Sequence, residues 1–173
     1  MILEQNFNLK TFTHSATAER LKIDNTQMTD EQLANLLELH KLLLRVQARL
    51  SIKFARPVNI QINSGFRSEV LNEAVGGIPT SDHCSGSAAD TVAVGIKIED
   101  YYSLLRELAK EKVLLFGQVI LEYGKRPDRE TDDWVHLALP RKGKMNDFMR
   151  SVISSKDGAK VDGKREYVKE PIV

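Results

Sequence analysis

Apolar residues recur at helical spacing over one long stretch of the chain and at alternating spacing over several short ones. Leu33, Leu36, Leu37, His40, Leu43, Leu44 and Gln47 to Leu50 follow the helical period, and Thr29 with Gln32 ahead of them has the form of a capping box. The pattern predicts one long helix that walls the core. His40 lies along that apolar stripe and is read as a packed histidine rather than a ligand. Residues 1 to 28 predict a lead-in with one short helix around Ser15 to Leu21 and a turn at Asp24-Asn25. Phe7, Phe12 and His14 are read there as packing residues.

The run Val58 to Asn63 alternates apolar and polar residues, as a half-buried strand does, and delivers the chain to Ser64-Gly65-Phe66-Arg67. A short helix over Ser68 to Ala74 is ended by Gly76-Gly77, and Pro79 keeps the next loop from turning helical. That loop presents His83. Gly86 then releases the chain into a strand, Ser87 to Val94, on which Asp90 shares a face with Ala88 and Val92. A carboxylate on an otherwise apolar face is costly unless something pairs with it. Further on, Ile98 to Lys112 reads as an amphipathic helix. Gln118 to Tyr123 and Trp134 to Leu139 read as strands, joined by the polar loop Gly124 to Asp132. Beyond Met149, Lys156-Asp157-Gly158 and Val161-Asp162-Gly163 are turn signals between short β-prone pieces. The expected fold is α+β: a small antiparallel sheet of about four strands with helices on one face. Residues 1–150 form the main domain, and 151–173 are a hairpin or extension of it.

Composition narrows the partners more than the fold. The 25 basic and 24 acidic residues leave a net charge of +1, which gives no general electrostatic case for nucleic acid. No stretch approaches the length of a membrane span. A single cysteine, Cys84, excludes an internal disulfide. The first residues, MILEQNFNLKTF, lack the basic segment and apolar run of a signal peptide, so synthesis in the cytoplasm is expected; the chain is separately expected to be a monomer.

His83 and Asp90 lie seven positions apart, and His136 follows on a later strand. Two imidazoles and one carboxylate leave a coordination position open for water, as catalytic zinc requires. The same donors also make the facial triad of non-haem iron oxygenases. Cys84 adjoins His83, but its direction and the need for an open position argue for a packed thiol.

The motifs Ser81-x-His83-x-x-Gly86-x-Ala88-x-Asp90, Ser64-Gly65-Phe66-Arg67-Ser68 and Trp134-Val135-His136 come in an order that resembles the zinc D-alanyl-D-alanine carboxypeptidase family. That family includes vancomycin-resistance dipeptidases and phage L-alanyl-D-glutamate endolysins, and it shares its metal site with the hedgehog signalling domain. The resemblance spans residues 7 to 140. It implies one zinc ion bound by His83, Asp90 and His136, and peptidoglycan stem peptides as substrate, cut by carboxypeptidase or endopeptidase action. Action on the cell wall after release or export is implied with it. Asp133, three residues before the last histidine, takes the place of the general base. Strict alternation would turn it away from His136, so it must sit at an irregular start of the strand, with Glu122 on the neighbouring strand as the other candidate. Arg67 takes the place of the residue that binds substrate or stabilises the oxyanion, and Ser81 binds substrate or braces the loop. Gly65, Gly76, Gly77 and Gly86 serve backbone geometry. Ser87 departs from the acidic residue often found at its position. A non-catalytic zinc domain that binds peptidoglycan or a protein partner is the competing reading.

Overall fold

The capping box expected at Thr29 is formed. Thr29 Oγ1 accepts from the Gln32 amide at 3.2 Å while Gln32 Oε1 accepts from the Thr29 amide at 2.7 Å. It opens the longest helix of a computed structural model that describes residues 7–123, 133–152 and 166–172. The chain divides into two compact units, one ending at Gly95 and one starting at Ile96.

In the first unit α1 (Leu9–Thr13) and α2 (Ala16–Leu21) precede α3 (Asp30–Lys53); β1 (Ile60–Ser64), α4 (Glu69–Ala74) and β2 (Ala88–Ala93) follow. α2 begins at its Ser15 cap as expected, and α1 is an additional turn of helix. Leu36, Leu39, Leu42, Leu43, Val46 and Leu50 are the buried side of α3. Each contributes about 1.5–3 kcal/mol by leaving water. The C-terminal half of α3 also fixes the approach to β1: Ser51 Oγ accepts from the Val58 amide and Gln47 Oε1 from the Ile60 amide.

β1 and β2 pair antiparallel, with Ile60 opposite Ala93 and Ile62 opposite Thr91. The register then slips by one residue, so that Ser64 and not Asn63 stands opposite Asp90. Such a bulge re-aims side chains at the end of a ladder. Ile60 and Ile62 turn toward α3, lining a small cavity with His40, Leu43 and Phe12. Ser64 and Asp90 belong to the other face.

In the second unit α5 (Ile98–Lys110) buries Tyr101, Tyr102, Leu104, Leu105, Leu108 and Ala109. The strands are β3 (Gln118–Glu122), β4 (Trp134–Ala138), β5 (Asp147–Val152) and β6 (Glu166–Lys169). β3 lies between β4 and β5, and β6 flanks β5. Val119, Leu121, Val135 and Leu137, all fully buried, make one face of the β3–β4 pair.

The class is α+β as expected, but the described residues hold six strands in place of about four, and the β3–β5 pairing is parallel. The additional strands come from the C-terminal part of the chain. All four residues of β6 are exposed, so it carries no buried alternation for a sequence reading to detect. The loop 124–132 and both turn signals of the tail lie outside the described residues.

Candidate active site

In the first unit the site is assembled from the β1 exit, the loop before β2, and β2 itself. His83 is buried and Asp90 largely so. His83 Nδ1 lies 2.7 Å from the Gly65 carbonyl oxygen, and because a carbonyl can only accept, that nitrogen carries the proton. In the neutral ring the lone pair is therefore on Nε2, which faces Asp90 Oδ1 at 3.2 Å. This is how metal-binding histidines are oriented, with the outer nitrogen held by a carbonyl. Two donors on a tetrahedral zinc at about 2.0 Å each stand about 3.3 Å apart, so the spacing of Nε2 and Oδ1 fits two neighbouring ligands.

The second oxygen of Asp90 has a different partner. Arg67 Nη2 donates to Oδ2 at 3.1 Å, and Arg67 Nε donates to Ser64 Oγ at 3.1 Å. The bulge in β1 makes this possible, because it sets Ser64 beside Asp90. The charge expected to be costly on the β2 face is thus balanced within the protein by a guanidinium. The sequence reads that guanidinium as a substrate group; the structure shows it as Asp90's partner.

The loop carrying His83 is tied down on several sides. The His83 amide donates to Ser81 Oγ at 3.3 Å and the Cys84 amide to the Ser81 carbonyl, so Ser81 braces the loop. Gln32 Nε2 donates to the Cys84 carbonyl and Asn35 Nδ2 to the Ser85 carbonyl, anchoring the loop to the first turns of α3. Sequence reasoning assigned Gln32 only its cap and Asn35 nothing. Two glycines permit the approach. A Cβ on Gly86, at φ +72°, would meet the Gln32 carbonyl at 2.5 Å, and one on Gly65 would meet the Phe12 carbonyl at 2.5 Å. Burial pushes the Cys84 thiol up against the opposing pull of the Arg67 charge, which leaves it protonated at neutral pH. Ser87 Oγ accepts from Ser85 Oγ at 3.0 Å, a contact between neutral groups.

In the second unit His136 stands on β4 opposite Ile120, and Trp134 stands opposite Glu122. Residues opposite one another in an antiparallel pair share a face, so Glu122 lies on the face of His136. Its carboxylate is buried and accepts from the Tyr167 hydroxyl at 3.1 Å. Asp133 immediately precedes β4 and lies outside its ladder, so strand alternation does not dictate its direction.

A family model described as Peptidase M15 matches residues 5–120. The span includes Arg67, Ser81, His83 and Asp90 and ends ahead of Asp133 and His136. Among solved structures, the chain is 26% identical to the Serratia marcescens L-Ala D-Glu endopeptidase ChiX over 65% of its own length and 88% of that chain, with a TM-score of 0.34. No curated protein matches.

Proposed function

The chain belongs to the peptidase M15 family, and from that premise we propose that this metallopeptidase is a zinc-dependent hydrolase of peptidoglycan stem peptides. The observation that carries the metal reading is the pair His83 Nε2 and Asp90 Oδ1, 3.2 Å apart, with the outer histidine nitrogen fixed on the Gly65 carbonyl. His136 is the third ligand in this reading, and three protein donors leave one position for the reaction.

Bound zinc would lower the pKa of its water to about 7 and polarise the scissile carbonyl. The chain's own residues supply the remainder. Asp133 accepts the proton of the attacking water and returns it to the leaving amine, which restores the carboxylate for the next cycle. Its position ahead of the β4 ladder supports that role over Glu122, whose carboxylate is held by Tyr167. Arg67 offers its charge to the carbonyl oxygen as that oxygen becomes negative, or to a substrate carboxylate. Ser81 acts through the loop it braces. The place of action follows from the substrate: the cell wall, reached by release or export.

Mass spectrometry of peptidoglycan fragments tests this reading. New fragments are expected with the zinc-loaded protein and not with the chelated protein or Asp133→Asn, and their masses would name the bond and separate carboxypeptidase from endopeptidase action. Asp133→Asn should lower kcat by about 10²–10⁴-fold with zinc retained. Equal loss in Glu122→Gln with an active Asp133→Asn would transfer the base to Glu122. A folded, zinc-loaded protein that leaves several wall chemotypes uncut would overturn the substrate class.

A further inference from the structure

We propose that Asn25 is a positioning residue of the site: its carboxamide fixes the backbone on both sides of Arg67, and so directs both the guanidinium and the carbonyl that orients His83. The proposal rests on the roles given above to His83 and Arg67.

Asn25 was read from sequence as half of a turn, yet it is only 4% exposed. Its Nδ2 donates to the carbonyls of Thr13 and Phe66, at 2.8 and 2.9 Å, and its Oδ1 accepts from the Ser68 amide at 2.7 Å. Two of these three bonds fall on the peptide groups just before and just after Arg67. The Arg67 amide itself donates to the His83 carbonyl at 3.2 Å, and the Gly65 carbonyl accepts from His83 Nδ1 at 2.7 Å. The four residues Gly65 to Ser68 are thus held by His83 from one side and by Asn25 from the other. A side chain as long as arginine magnifies any rotation of its own peptide. Tilting the Phe66 or Ser68 peptide would move the guanidinium off Asp90 Oδ2 and shift the Gly65 carbonyl that sets the His83 ring.

The chemistry at position 25 is specific. An aspartate there keeps the acceptor for the Ser68 amide but sets oxygen lone pairs against the Thr13 and Phe66 carbonyls, in a site where water cannot relieve them. A role confined to stability would lower the melting temperature and leave the folded molecules' metal affinity unchanged. A positioning role lowers that affinity too.

The experiment compares wild type, Asn25→Asp, Asn25→Ser and the core control Val46→Ala, fully buried on α3. Each is measured well below its melting temperature, for zinc affinity by competition with a chromophoric chelator and for kcat/KM on a stem peptide. Asn25→Ser, which keeps one small donor and acceptor, carries the test if Asn25→Asp does not fold. The expected result is zinc affinity and kcat/KM both lower by about tenfold or more in the Asn25 variants, the usual scale for groups that orient a ligand, and unchanged in Val46→Ala. Wild-type values in the folded Asn25 variants, or an equal loss in Val46→Ala, would overturn the proposal. Zinc affinity needs no substrate, so a wrong substrate class leaves that arm intact. A wild-type protein that binds no zinc would overturn the metal reading and the proposal with it.

Discussion

Asp90 presents its two oxygens to two different partners, Oδ1 to His83 and Oδ2 to Arg67. Its isostere tests whether the charge they share is needed for the proposed metal site. Asp90→Asn keeps the shape and removes the charge, so we expect zinc to be lost on gel filtration while the protein still elutes as a folded species. The need for a partner at Asp90 was legible in the sequence, since a carboxylate among Ala88 and Val92 had to be compensated. That Arg67 would be a partner was not legible, because its reach depends on the one-residue slip in β1, and nothing in Ile60 to Ser64 announces where a ladder slips. Gly65 was likewise assigned to backbone geometry without a reason, and the reason is α1. Gly65→Ala should cost about 1–3 kcal/mol by forcing a methyl against the Phe12 carbonyl, measurable by urea denaturation.

Among the elements, α3 was the most legible, because its cap and its period agree. The set of residues it buries was harder to read. Leu39, Leu42 and Val46 are inside, while Leu33, Leu37 and Leu44 are only half-buried. Leucines occupy nearly every side of this helix, so the period alone does not choose a face. α1 was missed because a five-residue helix is too short to show a period. Of the two α3 side chains that anchor the His83 loop, Gln32 has a second duty in the cap. Gln32→Glu separates its two duties, since a glutamate still accepts from the Thr29 amide but has no hydrogen to give the Cys84 carbonyl. Helix stability should be kept, and amide exchange over residues 84–87 should quicken in hydrogen-exchange mass spectrometry.

Over the whole molecule the charges nearly cancel, yet they are used unevenly. In the second unit Arg150 donates to Glu99 and Glu170, and Tyr123 also donates to Glu99. Burial alone would raise the Glu99 carboxyl, but its bonds from Arg150 and Tyr123 and the Arg150 charge outweigh it and hold the group below its ordinary value of 4.5. A depressed carboxyl stabilises the folded state above the unfolded-state pKa and loses that contribution as pH falls through the folded one. The stability lead of wild type over Glu99→Gln should therefore be present at neutral pH and fade below about pH 4 in acid denaturation. Sequence reading anticipated the strands β3 and β4 as short apolar, β-prone runs on either side of the polar loop 124–132. It missed this network because Glu99, Tyr123 and Arg150 lie on separate elements and carry no shared spacing.

The bonds that hold the site also bear on when it forms. Asn25 reaches 41 residues along the chain to Phe66, Gln32 reaches 52 to Cys84, and Arg67 reaches 23 to Asp90. Closing loops of that length costs entropy before any of these contacts repays it, so they belong to the late side of the folding barrier. Stopped-flow kinetics should find that Asn25→Ala speeds unfolding and leaves the folding rate nearly unchanged. A nascent chain halted before β2 would carry α3 already wound and still lack Asp90, leaving His83 and Arg67 without the carboxylate they share.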